Sequence, residues 1–264
     1  MADIAYYLED FKRIEDSAGR DARVLLETTR NDILAEIASR PSENRVYQLD
    51  EILSAVEHRI SMLRYDYINT LENAVAAITR VGIVLGMAPL PSPSTSSLIG
   101  ISPQLIRGLV SYRADRIKGL TDEIYDKISD VIRRGVLTGK SSDEITDQLG
   151  SVIRDRGTFG ALNTRATFVF NTEVHRAAEM ATQEGLNETG KALPTLRKRW
   201  LATLYHTRQW HIEANGQEVP YNEPFTVGGE KMMYPLDPAG SAKNVVNCMC
   251  VCIPVVPGAN NGAS

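Results

Sequence analysis

Between Ile52 and Ile78 the sequence places an apolar residue every three or four positions: Ile52, Val56, Ile60, Leu63, Tyr67, Leu71, Val75 and Ile78. A spacing near 3.5 residues puts all eight on one stripe of a long helix, and such a stripe packs on a partner. An earlier stripe runs through Leu8, Phe11 and Ile14, then Leu25, Leu26, Ile33, Leu34 and Ile37. Residues 41–44, opening with Pro41, interrupt the pattern. The two segments read as long helices joined by a short turn, an antiparallel hairpin.

The Pro- and Ser-dense stretch 89–97 reads as an exposed, extended linker. Ser102 and Pro103 suit the N-cap and first position of a third helix carrying Ile106, Leu109, Ile117, Leu120, Ile124, Ile128, Val131 and Ile132. Thr138-Gly139 ends it. Ser141 or Ser142 caps a short helix with Ile145, Leu149 and Ile153 on one face. Another helix, Ala-rich, covers 164–186. Past Pro194 the period changes. Residues 200–205 predict a strand, and 245–256 predict a strand buried on both sides. The expected fold class is α+β: long N-terminal α-helices in a hairpin or bundle, then a small C-terminal α+β domain. The expected division is a helical region 1–88, a Pro/Ser linker 89–100, a middle helical region 101–157 and the C-terminal domain 158–264.

The 264 residues allow one large domain or two modest ones. Hydrophobic content of 43% and charge of 23% fit an ordinary soluble protein. A net charge of −4 argues against a dedicated nucleic-acid binder, which is usually basic. The first residues lack the apolar core of a signal peptide. The most apolar window, 74–90, is broken by Thr79 and Arg80 and ends at Pro89, so no membrane span or membrane partner is expected. The expected setting is the cytosol, or a particle assembled there.

Chemistry concentrates in the last third. All three cysteines lie together at Cys248, Cys250 and Cys252. That grouping cannot staple a fold, so the residues read as reduced thiols or metal ligands. On a regular strand the three share a face. With His211 they would supply the three thiolates and one imidazole of a structural zinc site. The alternative is that the thiols fill a core. His206, His211 and Glu213 could form an acid–base set, but no nucleophile motif accompanies them. In the structural reading, His211 and Arg208 bond loop carbonyls. Asn215-Gly216 suits a tight turn with positive φ. Glu173 reads as half of a buried pair with Arg176. Arg197, Lys198 and Arg199, beside Trp200, are candidate contacts to DNA phosphates.

An ordered set of short anchors runs through 134–254: Gly139-Lys140-Ser141, Arg165, Thr172-Glu173, Trp200 and Thr203, Arg208 and His211, Asn215-Gly216-Gln217, Pro224-Phe225, Tyr234-Pro235, and Asn247-Cys248 with Cys250. In this order the chain resembles the phage Mu F-like family, the minor head (head morphogenesis) proteins of tailed bacteriophages. It departs from the family pattern at Tyr205, His206 and Met249. The resemblance implies a non-enzymatic virion protein, few in copy, inside the head near the portal vertex. It implies assembly in the host cytoplasm, with help to assembly, DNA packaging or ejection. Implied partners are the portal protein, scaffolding or major capsid protein, and double-stranded DNA without sequence choice. Two other classes stay open: a metal-dependent nuclease or transferase-like enzyme carried in the particle, using His206, His211 and Glu213, and a helical adaptor for host proteins.

Overall fold

The computed structural model describes residues 4–40, 45–90, 103–154, 159–203 and 207–258. Helices come first: α1 (Ile4–Ala38), α2 (Arg45–Met87), α3 (Pro103–Leu137), α4 (Ser142–Arg154) and α5 (Phe159–Ala192). The remainder alternates β1 (Arg197–Leu201), α6 (Gln209–Glu213), β2 (Glu218–Pro220), β3 (Phe225–Val227), β4 (Glu230–Met232), α7 (Ala242–Val245) and β5 (Val251–Val255). This is the α+β class read from the sequence. The break at 41–44 and residues 91–100 of the linker lie outside the described residues.

The chain forms two compact units, and neither is one continuous stretch. One comprises Gly19–Leu71 and Val110–Val169; the other comprises Met1–Ala18, Glu72–Leu109 and Phe170–Ser264. In the first, the part of the α2 stripe from Ile52 to Leu71 is buried as the spacing predicts. Its Tyr67 hydroxyl donates to the Ala22 carbonyl at 3.0 Å, fixing α2 on α1. Arg64 forks to the Thr121 hydroxyl and the Asp122 carboxylate of α3. The anchor Gly139-Lys140-Ser141 is a helix stop followed by a helix start. Gly139 takes φ +72°, its N–H reaches the Val136 carbonyl, and the Lys140 N–H reaches that of Gly135. That pair of bonds caps the last turn of α3, and the left-handed backbone favours glycine. Ser141 Oγ then accepts the Glu144 N–H, while the Glu144 carboxylate accepts the Ser141 N–H, a reciprocal cap that opens α4.

In the second unit, α2 and α5 touch backbone to backbone. A Cβ on Gly82 would stand 2.5 Å from the Ala178 carbonyl, one on Gly86 2.3 Å from that of Thr182, and one on Gly185 2.4 Å from that of Ile83. Thr189 Oγ1 donates across the contact to the Gly86 carbonyl at 2.9 Å. On α1 the buried row is Phe11, Glu15 and Ala18. The sequence pattern favoured Ile14; a carboxylate takes the inward position because a histidine meets it there. By length and composition α2 passes the test for a membrane-crossing helix, contrary to the expectation from 74–90, and half of its apolar window is buried inside the protein.

β1 is the central strand of an antiparallel sheet ordered β2-β1-β5, with Trp200 opposite Cys252. The strand expected at 200–205 thus begins earlier and ends at Leu201; residues 204–206 lie outside the described part. The strand expected over 245–256 is also shorter. Residues 242–245 turn as α7, Asn247 takes φ +53°, and pairing begins only at Val251. Left-handed backbone cannot continue a ladder.

Candidate functional site

The alternation of β1 turns Lys198 and Trp200 inward and leaves Arg197 and Arg199 half-buried. The Trp200 ring meets Phe225 and His211 edge-on, with centroids 5.4 and 5.5 Å apart. His211 sits on α6, just before Asn215-Gly216. Gly216, at φ +80°, donates its N–H to the Trp200 carbonyl, and Asn215 Oδ1 accepts the Ala202 N–H. Arg208 bonds the Val246 carbonyl. This stitching holds α6 over the sheet and leaves His211 0% exposed.

Cys248 and Cys250 meet His211 from the other side. Nδ1 of His211 lies 3.4 Å from Cys250 Sγ and 3.5 Å from Cys248 Sγ. Nε2 lies 3.2 Å from Asn244 Oδ1. The same oxygen accepts the Trp210 indole N–H, which can only donate. The shared oxygen fixes the tautomer: Nε2 carries the proton and Nδ1 points its lone pair between the two sulfurs. Asn247 shapes the approach. Its backbone N–H donates to Thr172 Oγ1 at 3.1 Å, and its left-handed turn swings both thiols toward the ring. A hydrogen bond from the Cys250 thiol, then the His211 ring, hold Cys248 well below the ordinary thiol range. The same bond to Cys248, then burial, push Cys250 up.

Cys252 stands apart. Among the described residues the group whose donor atoms lie within 4.8 Å of one another is His211, Cys248 and Cys250. Period-2 spacing aligns three thiols only if the strand runs through all of them, and this one starts after Cys250. The Cys252 N–H instead donates to Glu179 Oε2 at 2.8 Å, and burial, then Glu179, push its thiol up.

The remaining candidates disperse. Lys198 is a correction. It is 0% exposed, with Nζ donating to Gln183 Oε1 at 2.8 Å and to the Met233 carbonyl at 2.6 Å and lying over the Phe225 ring. Burial pulls its pKa down to about 8. Such an amine does not reach a phosphate. Arg199 bonds Glu218 Oε1 through Nε and Nη2, and Arg197 donates to the Glu218 carbonyl. Glu173 does pair with Arg176, whose Nη1 meets both carboxylate oxygens at 2.6 and 2.7 Å, while Arg176 Nε holds the Leu236 carbonyl. Leu236 itself takes φ +64°. Glu213 is exposed, two residues from buried His211 and therefore on another side of α6. His206 lies outside the described residues.

Sequence reading missed one buried network. His175 bonds Glu15 through Nδ1 and the Cys250 carbonyl through Nε2, the latter at 2.8 Å, with Glu179 Oε1 at 3.9 Å. A His and a Glu four apart in the Ala-rich stripe of α5 were its visible signal.

Trp200, His211 and the two thiols thus share one interior, and the Asn247 backbone is tied to Thr172 at its edge. Residues 126–253, which span that interior, match the family described as Phage Mu protein F like protein. The match covers just under half of the chain. Two curated relatives are similar to part of this chain. NAD(+)–arginine ADP-ribosyltransferase EFV of Enterococcus faecalis is 33% identical over 144 residues, 54% of this chain and 28% of that protein. The uncharacterized protein YqbB of Bacillus subtilis is 28% identical over 138 residues, 50% of this chain and 42% of that protein. The chain therefore spans less than half the length of either relative it matches. No solved structure matches it.

Proposed function

We propose that the chain is a non-enzymatic minor head protein that sits inside the head at the portal vertex and assists assembly, DNA packaging or ejection. The match of residues 126–253 to the Mu F-like family carries this reading. Burial of His211 supports it, since a side chain sealed between Trp200 and two thiols reaches no substrate. The partner is the portal protein, with scaffolding or major capsid protein as further contacts during assembly in the host cytoplasm. Double-stranded DNA would be touched only without sequence choice. The test is to tag the full chain in the phage or prophage that encodes it, purify heads, and cross-link. The expected result is incorporation at low copy with cross-links to portal. Absence from purified heads would overturn it.

A transferase reading draws on one observation, the identity with the E. faecalis ADP-ribosyltransferase. That match covers 28% of that protein, and its named activity belongs to the whole. Incubating the chain with labelled NAD and an arginine-rich acceptor separates the readings. Labelled acceptor would put the enzyme first; the head-protein reading expects none.

A further inference from the structure

We propose that His211 Nδ1 and the thiolates of Cys248 and Cys250 bind one zinc ion. A tetrahedral zinc with Zn–S near 2.3 Å and Zn–N near 2.0–2.1 Å sets its S···N edge at about 3.6 Å. The two S···N separations here are 3.4 and 3.5 Å. Both S···N edges therefore already lie close to those that an ion between the donors requires.

Three further features belong to a metal centre rather than to a filled core. First, the imidazole is oriented from behind. Asn244 takes the Nε2 proton and is itself fixed by Trp210, and its Nδ2 reaches the Val227 carbonyl. Metal-bound histidines are held this way, by an acceptor on the far nitrogen. Second, one sulfur has a backbone N–H turned toward it. The Cys250 N–H lies 3.5 Å from Cys248 Sγ. A neutral thiol is a weak acceptor and gains little from such donors; a thiolate gains much. Third, both sulfurs and Nδ1 converge on one point. A zinc ion there would take the place of whatever protons the three atoms share: one Zn²⁺ binds, those protons leave, and no electron is transferred.

Three protein donors leave one corner of the tetrahedron. Cys252 stays outside the site, which separates this centre from a three-thiolate arrangement.

The test uses the full chain purified without chelator, with metal measured by elemental analysis and the fold followed by circular dichroism. The expected result is about one zinc per chain, retained by Cys252→Ser and lost by Cys248→Ser and Cys250→Ser. Cobalt replacing zinc should give a thiolate-to-metal absorption band, unchanged by Cys252→Ser and strengthened by His211→Cys. Should the Cys248 and Cys250 variants fail to fold, wild type decides. Chelator should lower its melting temperature and added zinc restore it. A folded, reduced wild type that takes up no zinc and whose melting ignores both additions overturns the proposal. So does Cys252→Ser losing zinc while keeping its fold, or a Cys248–Cys250 disulfide in freshly isolated protein.

Discussion

The Glu15 carboxylate and the His175 imidazole, 160 residues apart in sequence, bond directly in an interior where each side chain is 3% exposed. The opposite ring nitrogen faces the Cys250 carbonyl, which can only accept, so that nitrogen must carry a proton. Burial opposes a charged ring here, yet Glu15, then Glu179 and the Cys250 carbonyl, raise its pKa to about 10. An imidazolium held between the first helix and the segment before the last strand thus pins three distant stretches of chain at one point.

Removing one partner of this pair should cost far more than its net contribution, because it strands the other. Glu15→Ala is expected to destabilise the protein by about 3–5 kcal/mol. Urea denaturation of the variant against wild type measures it. A loss below about 1 kcal/mol, the scale of an exposed pair, would show that the interaction is solvated.

The same network sets a pH response. The folded protein keeps the His175 proton up to about pH 10, whereas an unfolded histidine releases it near 6.5. Its stabilisation is complete below pH 6.5 and declines as pH rises through 10. Burial likewise raises Glu179 to about 8, which makes stability fall with rising pH from its ordinary value of 4.5 upward. Lys198, pulled down to about 8, works in the opposite sense between 8 and 10.5. Comparing wild type with His175→Gln across this range cancels the lysine. The expected outcome is a wild-type decline between pH 6.5 and 10 that is flattened in the variant.

Gly86→Ala places a methyl 2.3 Å from one backbone oxygen and 2.7 Å from a backbone nitrogen of α5. Neither can swing away. The helices must separate, and the expected loss is about 1–3 kcal/mol or more. Gly119→Ala, on α3 with open space around the new methyl, should instead stabilise by about 0.4–1 kcal/mol. Thermal melts of the two variants should shift in opposite directions.

Trp200 is fully buried against Phe225 and His211. Trp200→Ala should cost about 3–5 kcal/mol, enough to threaten a small domain. An unchanged melting temperature would place the indole at the surface.

The helical part was legible because its signal is local. From Ile52 to Ile78 each apolar residue announces the next, and every one is buried. The strand boundaries were not. The apolar run from Val245 onward looks continuous, but α7 and the left-handed Asn247 interrupt it, held by long-range bonds from Asn244 and Thr172. His211, Cys248 and Cys250 were recognisable as donors by residue type. Their grouping without Cys252 depends on where β5 starts, which pairing with β1 decides. Glu15 was hidden altogether. Nothing near it in sequence explains a buried carboxylate, since its reason lies on α5.

Synthesis on the ribosome gives the interleaved unit a timing problem. At about 5–20 residues per second, Glu15 emerges roughly 10–30 s before His175, and the Cys250 carbonyl follows later still. α1 must stay unpaired, with Phe11 and Ala18 uncovered, until the segment around Cys250 has left the exit tunnel. Residues 126–253 therefore do not mature by themselves as translation proceeds, because His175 needs Glu15, which is made well before them. A chaperone or an early assembly partner able to shield that first helix would act during this interval.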